Sequence, residues 1–120
     1  MADRVPTAIR QIVMGRAFGR CERCLHATLA GDPHHRRVRG MGGSKAPDRH
    51  DPSNLVWVCR PCHDWVHAHP KESAEAGFII PRFSGDSPLD VPVTDLSGQT
   101  RWLDDEGQYL SEPVEATDAP

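Results

Sequence analysis

Asn54-Leu55-Val56-Trp57-Val58-Cys59-Arg60-Pro61-Cys62-His63-Asp64-Trp65-Val66-His67 sets the architecture. Leu55 to Val58 is a short apolar run rich in β-branched and aromatic residues, the composition of a strand. Pro61 then sits where the first turn of a helix tolerates proline, since the missing N–H has no partner there anyway. A helix is therefore predicted from about Arg60 to His67. On it His63 and His67 are four apart, which puts both imidazoles on one face, one above the other. Cys59 and Cys62 close the junction between strand and helix with a Cys-x-x-Cys turn.

Upstream, Cys21-Glu22-Arg23-Cys24 repeats that turn, with 34 residues between Cys24 and Cys59. Zinc ribbons commonly separate their two knuckles by about 15 to 20 residues, so this interval is an insertion. Paired Cys-x-x-Cys turns suit tetrahedral zinc better than two disulfides. Four thiolates close the shell around the ion, so Cys21, Cys24, Cys59 and Cys62 are read as a structural zinc site. The insertion holds His34-His35, within a run over residues 28–39 that can form a strand or hairpin arm. Neighbours on a strand face opposite ways, so His34 and His35 divide two roles, one binding metal and the other acting on water. A strand-borne histidine facing the His63/His67 pair supplies three nitrogens and leaves positions for phosphate and water. Gly40 to Pro52 is punctuated by Gly and Pro and reads as a long irregular loop, a length that is usually functional.

The rest of the chain is modest in apolar content, with 38% hydrophobic and 6% aromatic residues among 120, alongside 11 prolines and 10 glycines. A small core of that kind gains from a metal staple. Ala8, Ile9, Ile12 and Val13 follow helical spacing after Thr7, a plausible N-cap, and the helix is expected to end near Gly15 to Gly19. After Pro70, which stops or redirects the second helix, Lys71 to Ala76 can add a turn. Phe78-Ile79-Ile80 and Val91 to Leu103 read as short strands, with turns at Ser84-Gly85-Asp86 and Ser97-Gly98. The expected organisation is an N-terminal helix over 1–20, a core over 21–70, an extension with short strands over 71–111 and an acidic disordered tail over 112–120. The fold class is α+β. No apolar run reaches membrane-spanning length and the N-terminus lacks a signal core, so no membrane partner and a cytoplasmic location are expected.

The formal net charge is −3, but acidic residues crowd the C-terminal third while Arg36, Arg37, Arg39, Lys45, Arg49 and Arg60 surround the histidines in sequence. A local basic surface can bind phosphate whatever the overall sum. Arg36, Arg37 and Arg39 are the candidate DNA-binding residues, because a guanidinium can fork onto phosphate oxygens. Strand alternation ranks Arg37 first, on the side of His35. The plainer reading of the run is a solvated charged face. Trp57 and Trp65 are read as core, and His26, His50 and His69 have no assigned spacing.

These motifs resemble the HNH nucleases of the ββα-metal type, in the four-cysteine form found in small phage and bacterial proteins. The resemblance covers roughly Cys21 to Pro70, with His35, Asn54 and His63 or His67 as the H, N and H, and includes Gly42-Gly43 and the run NLVWVCRPCH. It implies a hairpin, a loop and a helix clasping one divalent ion (Mg²⁺, Mn²⁺, Ni²⁺ or Zn²⁺), and DNA cleavage to a 5′-phosphate and a 3′-hydroxyl. It implies His35 as general base, His34 as a metal ligand, and His63 and His67 completing the site as in bacteriocin nucleases. Asn54 binds metal in some branches and orients the base through backbone hydrogen bonds in others; with three histidines available the second role is favoured. An Asn in a turn after Pro52-Ser53 is the plain alternative. Low sequence specificity and nicking are expected, since no recognition module accompanies the core. The rival reading is a non-catalytic zinc module that binds nucleic acid or protein. A third, by family analogy alone, is a component of a phage packaging or restriction complex acting with a partner such as a terminase.

Overall fold

In the computed structural model, which describes residues 4–37, 50–81 and 83–114, helix α1 covers Thr7–Arg16. Its N-cap is Pro6, and Thr7 is the first helical residue without a side-chain cap hydrogen bond, a correction of one residue to the sequence reading. Strand β1 is Asp32–His35 and strand β2 is Leu55–Val58, paired antiparallel with His34 opposite Val56 and His35 opposite Leu55. A 3₁₀ turn over Pro52–Asn54 leads into β2. Helix α2 covers Arg60–Ala68, and α3, Pro70–Glu75, follows after His69. A three-stranded antiparallel meander completes the chain: β3 (Val93–Thr94), β4 (Thr100–Leu103) and β5 (Tyr109–Leu110). Phe78 to Ile80 is not a strand. It contributes one isolated parallel bridge, Arg37 to Ile80, because Pro81 removes the next backbone donor.

Every residue of β2 is buried, which explains its unbroken apolar run. Leu55 and Trp57 face α1 and pack with Val13 and Ala17, while Val5, Ile9 and Met14 cover the edge. Val56 and Val58 point the other way, into a cluster of Cys21, Cys62, Val66, Phe78, Val93 and Leu103. The sequence after residue 70 thus supplies part of the same core that holds the second cysteine knuckle.

A buried ion pair joins these layers. Arg16 at the end of α1 meets Glu22 in a bidentate contact, Nε to Oε2 at 2.8 Å and Nη2 to Oε1 at 2.7 Å. Arg16 also donates to the carbonyls of Pro52 and Leu55. Glu22 accepts in turn from the Trp57 backbone N–H at 2.8 Å and the Tyr109 hydroxyl at 2.6 Å. With its lone pairs filled, the carboxylate can stay charged in the interior.

Arg36 forms a second buried node, fully enclosed. Its guanidinium donates to the carbonyls of Gly77 (2.8 Å), Ser53 (2.7 Å), Pro88 (3.1 Å) and Val91. Gly77 is required here: at φ +86 a Cβ would lie 1.9 Å from the Pro92 carbonyl oxygen.

Candidate metal centre

The first Cys-x-x-Cys turn is held by Leu25, whose φ of +73 lets the chain double back behind Cys24. The backbone N–H groups of Arg23 and Cys24 both point at the Cys21 sulfur, at 3.4 Å. Across the molecule, Cys59 and Cys62 close the end of β2 against the N-terminus of α2. The four ligand atoms lie within 4.8 Å of one another, with Cys24 Sγ and Cys59 Sγ 3.8 Å apart. Burial raises the Cys62 and Cys24 thiols, while Cys21 is held low because backbone N–H groups outweigh its own burial. Four clustered sulfurs of this kind fit a structural Zn²⁺, whose charge offsets the repulsion between thiolates. Arg23 adds a further positive charge: its Nη1 is 3.3 Å from Cys62 Sγ, and its guanidinium lies 3.7 Å from the centre of the Trp65 ring.

One turn along α2 from that site stands a second cluster. His34 from β1 and His63 and His67 from α2 also bring their ligand nitrogens within 4.8 Å of one another. Ring centroids are 5.2 Å apart for His34 and His63, 5.3 Å for His34 and His67, and 4.9 Å for His63 and His67. His34 is buried, His63 half-buried and His67 exposed, so the cluster opens to solvent on one side. Burial, then the neighbouring imidazole of His63, pushes the His34 pKa down to about 4. His34 is therefore neutral at physiological pH, the state a metal ligand needs. Its Nε2–H donates to the Phe78 carbonyl at 3.1 Å, which leaves the Nδ1 lone pair for coordination. The three imidazoles can hold a divalent ion with positions to spare for exogenous oxygens.

His35, the next residue along β1, is not among the three clustered ligands. Its Nε2 lies 3.2 Å from Nδ1 of His50. Both His34 and His35 nevertheless line one cleft of about 360 Å³, with Pro33, Arg37, His63, His67 and Ile79. Two larger clefts, of about 470 and 510 Å³, flank Phe18 and Tyr109 and contain no histidine. Asn54 is buried beneath the end of β1. Its Oδ1 accepts from the Arg37 backbone N–H at 3.0 Å and its carbonyl from that of Arg36 at 2.8 Å, so it fixes the chain just beyond His35.

Among the arginines, Arg36 cannot reach a phosphate. Its place among the DNA-binding candidates is corrected by its complete burial against four carbonyls. Burial, then the like charge of Arg16, lowers its pKa to about 9, so it remains a cation at neutral pH. Arg37 is half-buried, with its guanidinium on the Asp86 carbonyl. Arg39, Lys45, Arg49 and most of the Gly/Pro loop, including Gly42-Gly43, lie outside the described residues.

Two residues that the sequence reading passed over stand at this site. His50 meets His35 from the far end of the long loop, and no local spacing announces it. Asp32 Oδ2 lies 3.1 Å from His63 Nδ1. Here a signal existed: Asp32 and His34 are two apart on a strand and so share a face. No helix among the described residues is long and apolar enough to cross a membrane. Compared with models of known protein families, with curated proteins and with solved structures, the chain matches none.

Proposed function

We propose that the chain is a metal-dependent DNA endonuclease of the HNH type, with a ββα-metal core stapled by zinc on its four cysteines. The observation that carries this reading is the gathering of His34, His63 and His67 within 4.8 Å, in one cleft with His35. The strand, loop and helix order of the resemblance described above supports it.

His34, His63 and His67 would hold a divalent ion, which when bound would supply positive charge to the scissile phosphate and the leaving oxygen. His35 takes the proton from the attacking water. The water oxygen bonds to phosphorus as the bond to the 3′-oxygen breaks; the 3′-oxygen leaves as an alkoxide and takes a proton from bulk water, leaving a 5′-phosphate and a 3′-hydroxyl. Asn54 is a positioning residue, since it braces the backbone next to His35. Arg37, on the wall of the same cleft, is the phosphate-binding candidate that the described residues retain. The cell context proposed is phage DNA packaging, in a bacterial cytoplasm and alongside a terminase-type partner. Nicking at low sequence preference is the activity expected of the isolated chain.

The test is supercoiled plasmid incubated with zinc-loaded protein and Mg²⁺, Mn²⁺, Ni²⁺ or Zn²⁺, beside His35→Ala and EDTA controls. Nicked product that disappears in both controls supports the reading. A folded wild type inert with every ion, with DNA or protein binding that survives His35→Ala, overturns it in favour of a non-catalytic zinc module. Restoration of cleavage by an added terminase would identify a partner-dependent enzyme instead.

A further inference from the structure

We propose that Asp32 is a positioning residue for the imidazole centre: its carboxylate holds His63 in the tautomer that turns the Nε2 lone pair toward the metal position. The inference rests on the metal-centre part of the reading above and extends it to a residue outside the ligand set. Asp32 opens β1 and shares a strand face with His34, so β1 delivers one ligand and one carboxylate to the same helix. Asp32 Oδ2 is 3.1 Å from His63 Nδ1, a distance at which an ionised carboxylate accepts the Nδ1 proton. A neutral imidazole carries one N–H, so a proton fixed on Nδ1 leaves Nε2 as the coordinating atom. Free histidine favours the opposite tautomer, which would present a proton instead of a lone pair. A carboxylate on the outer nitrogen also makes the ring a stronger donor.

The neighbouring ring is fixed by a different device. His34 gives its Nε2–H to the Phe78 carbonyl, so its coordinating atom is Nδ1. The site is thereby predisposed to mixed ligation, Nδ1 from the strand and Nε2 from the helix. Arg60 approaches the same carboxylate at 3.7 Å, but its side chain is 72% exposed. It serves as the control: Arg60→Ala removes the nearby charge without touching the His63 contact.

The measurement uses full-length protein carrying zinc on its cysteines and ¹⁵N-labelled histidine. In wild type, the His63 imidazole should be protonated at Nδ1 before Co²⁺ is added. Asp32→Ala should move the proton to Nε2 and weaken Co²⁺ binding by about tenfold to a hundredfold, the usual effect of losing such a partner. Asp32→Asn, which keeps an acceptor but not the charge, should fall between, and Arg60→Ala should match wild type. A wild-type His63 protonated at Nε2 overturns the proposal, even if the alanine variant fails to fold. So does unchanged Co²⁺ affinity in folded Asp32→Ala, or a weakened affinity with no change of tautomer, which would mark general loosening. Wild-type protein that takes up no more Co²⁺ than His63→Ala would instead remove the metal-centre reading, and this one with it.

Discussion

At the scale of single residues, two buried nitrogenous side chains illustrate how differently burial acts on charge. Arg36 stays a cation because four carbonyls from three separate segments surround it. Arg36→Ala strands those acceptors, and at about 1 to 3 kcal/mol for each unsatisfied group the variant should lose roughly 3 kcal/mol or more in urea denaturation. A loss below about 1 kcal/mol would show that water replaces the guanidinium at little cost. His34 takes the other course and is buried neutral. In the unfolded chain it binds a proton below about pH 6.5, but in the folded chain only near pH 4. The unfolded state therefore holds the extra proton across that window, so stability is full above pH 6.5 and falls as pH drops toward 4. The size is on the order of 3 kcal/mol. Because acid weakens zinc–thiolate bonding in any variant, the informative quantity is the gap in denaturation midpoint between wild type and His34→Asn. That gap should narrow steadily from pH 7 to pH 4.5, and a constant gap would exclude His34 as the titrating group. The burial of Arg36 was not legible in the sequence. A run of arginines beside histidines looks like a phosphate site, and carbonyls 17 to 55 residues away leave no local trace.

At the scale of elements, α2 is the part on which the site depends. Its first turn carries Cys62 and the side it turns toward His34 carries His63 and His67, so one nine-residue helix joins the sulfur cluster to the imidazole cluster. A helix this short is marginal by itself and takes its stability from what holds its ends. Cys59→Ala should therefore abolish zinc retention, reduce helical ellipticity and eliminate plasmid nicking together. Retained Co²⁺ uptake at the histidines in that variant would show that α2 stands without its zinc anchor. This element was legible because several independent signals agree on it: proline in the first turn, cysteines three apart and histidines four apart. The strand before it was legible as an apolar run. That both its faces are covered, by α1 and by the Phe78 cluster, could not be read from four residues alone. Strand β5 was missed, since Tyr109–Leu110 is two residues long and its register is set by pairing with Trp102 and Leu103.

For the whole molecule, the chain beyond α3 is structural rather than an appendage. Phe78, Val93 and Leu103 sit in the cluster with Cys21 and Cys62, and Tyr109 completes the Arg16–Glu22 network. A chain ending at residue 76 should accordingly yield an unfolded or aggregating product even with zinc present, as read by dispersion of its amide NMR signals. A well-dispersed spectrum would show that residues 4–76 suffice. The molecule also contains its own optical gauge. Trp65 lies under the Arg23 guanidinium, whose other contact is the Cys62 sulfur, and His69 stacks on the same indole at a centroid distance of 4.5 Å. Trp57 is sealed in the interior with its indole N–H on the Thr28 carbonyl, so it changes little until the fold is lost. Two indoles thus report on different events: light emitted by Trp65 follows the state of the thiolates, and light emitted by Trp57 follows the survival of the fold.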